Sequence, residues 1–107
     1  MAVFVYAENI NGIYKKAAFE AVSYAKAVAG QLGETVTAIS VNPTDSSDLL
    51  YKYGADKVIN IKDEGLKNFS AKAYAKAVSE VAEGNILVFP HTTDASSVAP
   101  MLAIMKN

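Results

Sequence analysis

Two short stretches of this 107-residue chain hold most of the side chains that could do chemistry: Glu8, Asn9, Asn11 and Gly12 near the start, and His91, Thr92, Thr93 and Asp94 near the end. Carboxylate, amide, hydroxyl and imidazole groups gathered this densely could line a nucleotide-like cleft. His91 with Asp94 invites a general-base reading, because imidazole titrates near neutral pH. A base needs a group to activate, and the chain has neither a cysteine nor a G-x-S-x-G elbow. The plainer reading is therefore favoured at both places. Asn and Gly shape a turn, Thr and Asp cap a helix, and His91 is a structural or interface residue. No catalytic residue is assigned.

Composition removes further classes. Neither G-x-G-x-x-G nor G-x-x-x-x-G-K-[ST] occurs, and the second stretch has no glycine to let backbone N–H groups approach a phosphate. No cofactor-binding residue is assigned. Net charge is −1, with ten Lys and no Arg, so nucleic acid is not an expected partner. A lone His and the absence of Cys leave no metal ligand set, and no metal is assigned. The opening MAVFVYAENI has no basic flank and its apolar run ends at Glu8, which argues against export and membrane insertion and for a cytoplasmic location. The six tyrosines read as packing residues, since Tyr6 falls in an apolar run and Tyr24 and Tyr74 fall on helices. Asp63-Glu64 reads as a solvated turn.

The elements that must position these residues follow from periodicity. Apolar, β-branched runs predict strands at 2–7, 35–41, 57–61 and 86–90. Apolar residues at three-and-four spacing predict a helix over 15–32, alanine-rich and able to approach a sheet closely, with Gly33 as its left-handed stop. A short helix carries Leu49, Leu50 and Tyr53, capped by Asp45 or Ser46, with Gly54 at its exit. Phe69-Ser70 reads as the entry to a third helix, closed by Gly84. Ser96 or Ser97 would cap a last helix carrying Val98, Met101, Leu102 and Met105, and a start at Asp94 would force a kink at Pro100. Strands that alternate with helices and are apolar throughout imply an α/β fold: one domain with an open, doubly wound parallel sheet and helices on both faces. In such sheets ligands bind beyond the carboxyl ends of the strands, where strand order reverses.

The pieces VFVYAENINGIYKKAAFEAVSYAKAVA, LLYKYGADKVINI, NFSAKAYAKAV and LVFPHTTDASSVAPMLA together cover almost the whole chain. In them the chain resembles the N-terminal domain of electron transfer flavoprotein alpha subunits. The resemblance implies a Rossmann-like fold of the adenine-nucleotide alpha-hydrolase type with strand order 3-2-1-4. It also implies a heterodimer with a beta subunit, and electron transfer from dehydrogenases to a membrane quinone reductase. FAD would sit mainly in a separate C-terminal domain of the alpha subunit, and the AMP of the family in the beta subunit. Residues 1–107 would then be a truncated N-terminal domain, a non-enzymatic scaffold that itself binds no FAD, with later strands missing. The family's last helix typically reads like G-R-D-x-A-P-R-x-A. Ala95-Ser96-Ser97-Val98-Ala99-Pro100-Met101-Leu102-Ala103 lacks that glycine and both arginines, so their contacts do not carry over.

The rival is a stand-alone adenine-nucleotide module of the universal-stress type, whose G-x-x-G loop is replaced here by Thr92 to Ser97. A small hydrolase is weaker still, for want of a nucleophile. With strand order 3-2-1-4, Ile86-Leu87-Val88-Phe89 would form an uncharged open edge, and self-association is expected through it or through the apolar face of the last helix. A His91→Ala variant is expected to keep its circular dichroism spectrum and lose at most about 1 to 2 kcal/mol of stability. Loss of a measurable hydrolytic activity on that substitution would favour the enzyme alternative.

Overall fold

Every position of β1 (Ala2–Tyr6) carries an apolar or aromatic side chain, and a strand sends successive side chains to opposite faces. Both faces therefore need cover. The computed structural model, which describes residues 2–83, 86–92 and 94–99, shows how they get it. After β1 come β2 (Asn9–Ile10), β3 (Ile13–Tyr14), α1 (Lys16–Leu32), β4 (Thr35–Val41), α2 (Asp48–Lys52) and β5 (Lys57–Ile61). A 3₁₀ turn (Glu64–Leu66), α3 (Ala71–Val81), β6 (Ile86–Val88) and a helical segment over residues 94–99 follow. β5, β4, β1 and β6 form one parallel sheet in that order, the 3-2-1-4 arrangement expected of the four main strands.

The layers follow from the topology. The chain steps one way from β1 to β4 to β5, so right-handed crossovers put α1 and α2 on one face. It then jumps back past β1 to β6, and α3 lands on the other. Val3, Val5, Val36 and Ala38 pack with Ala18, Ala21, Val22, Ala25 and Ala29 of α1 and with Leu50 of α2. Phe4, Tyr6, Ile39 and Val41 pack with Ala75 and Val78 of α3 and with Ala95 and Val98. The small residues of α1 let its axis come close to the sheet.

Helix α1 ends as predicted, with Gly33 left-handed at φ 68°. Ser70 caps α3 by accepting the Ala73 N–H at 3.4 Å, and Phe69 meets Tyr74 edge-on at 5.0 Å, a hydrophobic staple. Other expectations are corrected. Asp45 does not cap α2, because its carboxylate accepts the Tyr14 N–H at 3.0 Å. Ser47 precedes that helix without a side-chain cap, and the Ser46 hydroxyl accepts the Asp48 N–H at 3.1 Å. Asp63 is more than a solvated turn, since its carboxylate accepts the Gly65 N–H at 2.8 Å and opens the 3₁₀ turn. Helix α3 stops at Val81 with Ala82 extended, before Gly84, which lies outside the described residues. Ser96 and Ser97 lie inside the last helical segment; Thr92 caps it, its hydroxyl accepting the Ala95 N–H at 3.2 Å. Pro100 and the apolar positions beyond it lie outside the described residues. β6 is shorter than expected and, among the described residues, forms one edge of the sheet.

The β2–β3 hairpin was not expected. Asn11 and Gly12 connect Ile10 to Ile13 with φ of 53° and 88°, the pair of left-handed residues that a two-residue type I′ turn requires. The Gly12 carbonyl also accepts the N–H groups of Thr44 and Asp45 at 2.9 and 3.0 Å, and a Cβ on Gly12 would run into the Thr44 side chain. Gly12→Ala is expected to cost about 1 to 3 kcal/mol in denaturant unfolding. Gly30→Ala, in α1 with nothing within 4 Å of the new methyl, is expected to gain about 0.5 to 1 kcal/mol. Equal effects at the two positions would contradict this account of the turn.

Candidate functional site

The carboxyl ends of all four parallel strands open into one cleft of about 910 Å³. Residues after β1 and β4 form one wall, residues 64–69 after β5 the opposite one, and Thr92 and Asp94 after β6 close the end. The sequence-predicted Glu8, Asn9, Asn11, Gly12, Thr92 and Asp94 all line it. Thr93 lies outside the described residues, and His91 is exposed and is not part of the lining. His91 and Asp94 therefore form no dyad facing the cleft.

The lining residues divide by what they bond. Asn9 donates to the Val41 carbonyl at 2.7 Å and accepts the Gly12 N–H at 2.9 Å, fastening the hairpin to β4. The Tyr14 hydroxyl donates to Ser40 at 2.8 Å beneath it. Asn42, left-handed at φ 49°, bonds the Asp63 backbone twice at 2.9 Å and ties β4 to the wall after β5. These groups hold the walls, as the turn-forming reading of the first stretch expected. On the far wall, Glu64 was read only as part of a solvated turn and Phe69 only as the entry to a helix, while Lys67 and Asn68 went unread because no motif marks them.

A second set gathers where β1 meets β6. Tyr6 is the last residue of β1 and Glu8 follows on the same side, while Thr92 and Asp94 rise from the end of β6 and Tyr74 faces them from α3. Burial pushes the Glu8 carboxyl above its ordinary range; the hydrogen bond with Thr92 pulls it back and the charge of Asp94 pushes it further up. Burial, then Glu8, Tyr74 and Asp94, drive the Tyr6 phenol upward, and Tyr74 rises through burial, Asp94 and Glu8. Tyr6 and Tyr74 both pack, as the sequence suggested, with Tyr6 5.9 Å from the Phe89 ring. Their share in this cluster was missed, since packing alone explained them.

Chemically the cleft is rich in acceptors and poor in cations. Among the described residues, Glu8, Glu64 and Asp94 share the lining with a single cation, Lys67. A pyrophosphate needs backbone N–H groups or cations, and here it would meet converging carboxylates. The described residues therefore do not fit the pyrophosphate of a flavin dinucleotide. Among them no group of acidic or His side chains gathers to hold a metal ion, and no helix is long and apolar enough to cross a membrane.

A family model described as an electron transfer flavoprotein domain matches residues 3–106. The chain belongs to the electron transfer flavoprotein family. It is 30% identical over 105 residues to the electron transfer flavoprotein subunit alpha of Bacillus subtilis, covering 94% of this chain and 32% of that protein. Against the subunit alpha of Clostridium acetobutylicum it is 35% identical over 81 residues, 74% of this chain and 24% of that one. A lactate dehydrogenase (NAD(+),ferredoxin) subunit of Acetobacterium woodii is 33% identical over 107 residues, 94% and 25% of the two chains. The chain thus spans about a third or less of the length of these relatives.

The electrostatics of this electron transfer flavoprotein domain can be tested by pH. A carboxyl whose proton affinity is higher folded than unfolded leaves the fold unpenalised in acid and costs stability as pH rises through the carboxylate range. Glu8 is that case. Glu8→Gln is expected to raise the melting temperature at about pH 7, and the gap to the parent to close by about pH 3. The groups acting on Glu8 and the two phenols, Thr92 and Asp94 among them, are unchanged by the substitution. A variant melting no higher than the parent at neutral pH would contradict the assignment.

Proposed function

We propose that this chain is a scaffold part of the alpha subunit of an electron transfer flavoprotein, one that performs no chemistry of its own. It helps to position the flavin-bearing remainder of the protein and a beta subunit. One juxtaposition supports this reading: the family match runs over residues 3–106, while the cleft where an open α/β sheet takes a nucleotide is lined by carboxylates. In the proposal FAD is held elsewhere in the full protein and carries electrons from dehydrogenases toward a quinone reductase. That one relative is named as a subunit of a lactate dehydrogenase supports dehydrogenases as partners. The β6 edge, where Ile86 is 37% exposed, is the natural place for another strand to add, and without a partner it pairs with a second copy of the chain.

Isothermal titration and sedimentation test this together. The purified chain is expected to bind neither FAD nor ATP at micromolar concentration, and to sediment as a self-associating species that a beta subunit from the same organism converts to a mixed complex. Micromolar binding of either nucleotide would favour the stand-alone adenine-nucleotide module instead. Failure to form any complex with the beta subunit would remove the scaffold reading.

A further inference from the structure

The cluster at the junction of β1 and β6 has a feature that packing does not explain. Tyr6 is 2% exposed, yet its hydroxyl has no hydrogen-bond partner among the described residues, whereas the buried Tyr14 hydroxyl is bonded to Ser40 and that of Tyr74 to the Leu66 carbonyl at 2.7 Å. Tyr6 lines the cleft, and the hydroxyl is not sealed from it. The Tyr6 oxygen thus keeps an acceptor position open to whatever occupies this end of the cleft. Beside it stand Glu8, half-buried, and Asp94. Asp94 suits the first turn of its helix, where negative charge is favoured, but no such reason accounts for Glu8.

We propose that Tyr6, Glu8, Thr92 and Asp94 form a binding site for an organic cation, an ammonium or guanidinium group that donates to both carboxylates and to the Tyr6 oxygen. Three acceptors line one end of a cleft in which, among the described residues, Lys67 is the only lining cation and stands on the wall after β5. Such a set complements a group made entirely of donors, and a guanidinium fork best of all. The partial burial that makes a charged Glu8 costly without a ligand also strengthens its attraction for a cation, because water screens it less there than on the open surface. The partly exposed Tyr74, which also lines the cleft, adds apolar surface for the carbon stem of such a group. These 107 residues contain no Arg, so a guanidinium would come from outside them. It is either a small free amine or a protein side chain, and the site is independent of where flavin is held.

The test is an amide-resolved NMR titration of the 107-residue chain with agmatine and, separately, with a capped Gly-Arg-Gly peptide. The matching citrulline peptide, of the same shape without the charge, is the control. Saturable shifts at the amides of residues 7–9 and 92–95 are expected with the cationic probes and not with citrulline. Asp94→Asn, at an exposed position, is expected to weaken binding about tenfold or more. Tyr6→Phe, which keeps the ring and both carboxylates, should weaken it a few-fold while the fold remains. Agmatine binding as tightly as the peptide points to a free amine, and a tighter peptide points to a protein side chain. Equal binding of the citrulline peptide, no saturation with either cation, or indifference to Asp94→Asn would overturn the proposal.

Discussion

β1 is buried on two faces and paired on two edges, and most of the molecule answers that requirement. Val3 and Val5 look to α1, Phe4 and Tyr6 to α3, and the neighbours β4 and β6 occupy both hydrogen-bonding sides. No single helix can cover both faces. The chain must therefore reverse direction across β1, and the reversal leaves a gap between the loops that follow β1 and β6. The cleft is the geometric result of covering one strand completely, and its residues follow from which side chains stand at the ends of those two strands.

Much of this was legible in the sequence because the signal was local. AVFVY is apolar on both alternating sets, and TVTAISV and KVINI carry apolar residues on both, which a strand covered on one face would not do. Gly33 and Ser70 act on their own helices. What was missed depends on distance. Asp45 looks like a cap until Tyr14, 31 residues earlier, takes its carboxylate. The hairpin was legible in principle, since Asn11-Gly12 between Ile10 and Ile13 is a strong local turn signal, but it was absorbed into a polar loop. Capping was the favoured reading for the threonines of the second stretch, and Thr92 both caps the last helical segment and lines the cleft.

The candidate site divides in the same way. The two polar stretches pointed to the correct end of the sheet, and Asn9 of the first proved to hold a wall, as does Asn42 outside them. The part with unspent bonding capacity lies in Tyr6 and Glu8, and it needs Asp94 to be recognised. No spacing rule connects positions so far apart; only the pairing of β1 with β6 does. The family assignment and the carboxylate lining are compatible for the same physical reason. An α/β fold of this kind supplies a cleft wherever strand order reverses, and the side chains at its mouth decide whether phosphate is welcome.

The register of β1 against β6 also bears on the order of assembly. β1, α1 and β4 are neighbours in sequence, as are β4, α2 and β5, so their contacts close short loops. The pairing of Val5 with Val88 joins residues about eighty positions apart, and loop closure of that span is slow and entropically costly. A three-stranded unit can thus form before β6 docks, with Phe4 and Tyr6 still open to water on the face α3 will cover. The acidic cluster comes into being only when that last docking step is complete. Its formation is a report on the finished fold, and any intermediate lacking β6 lacks the cluster as well.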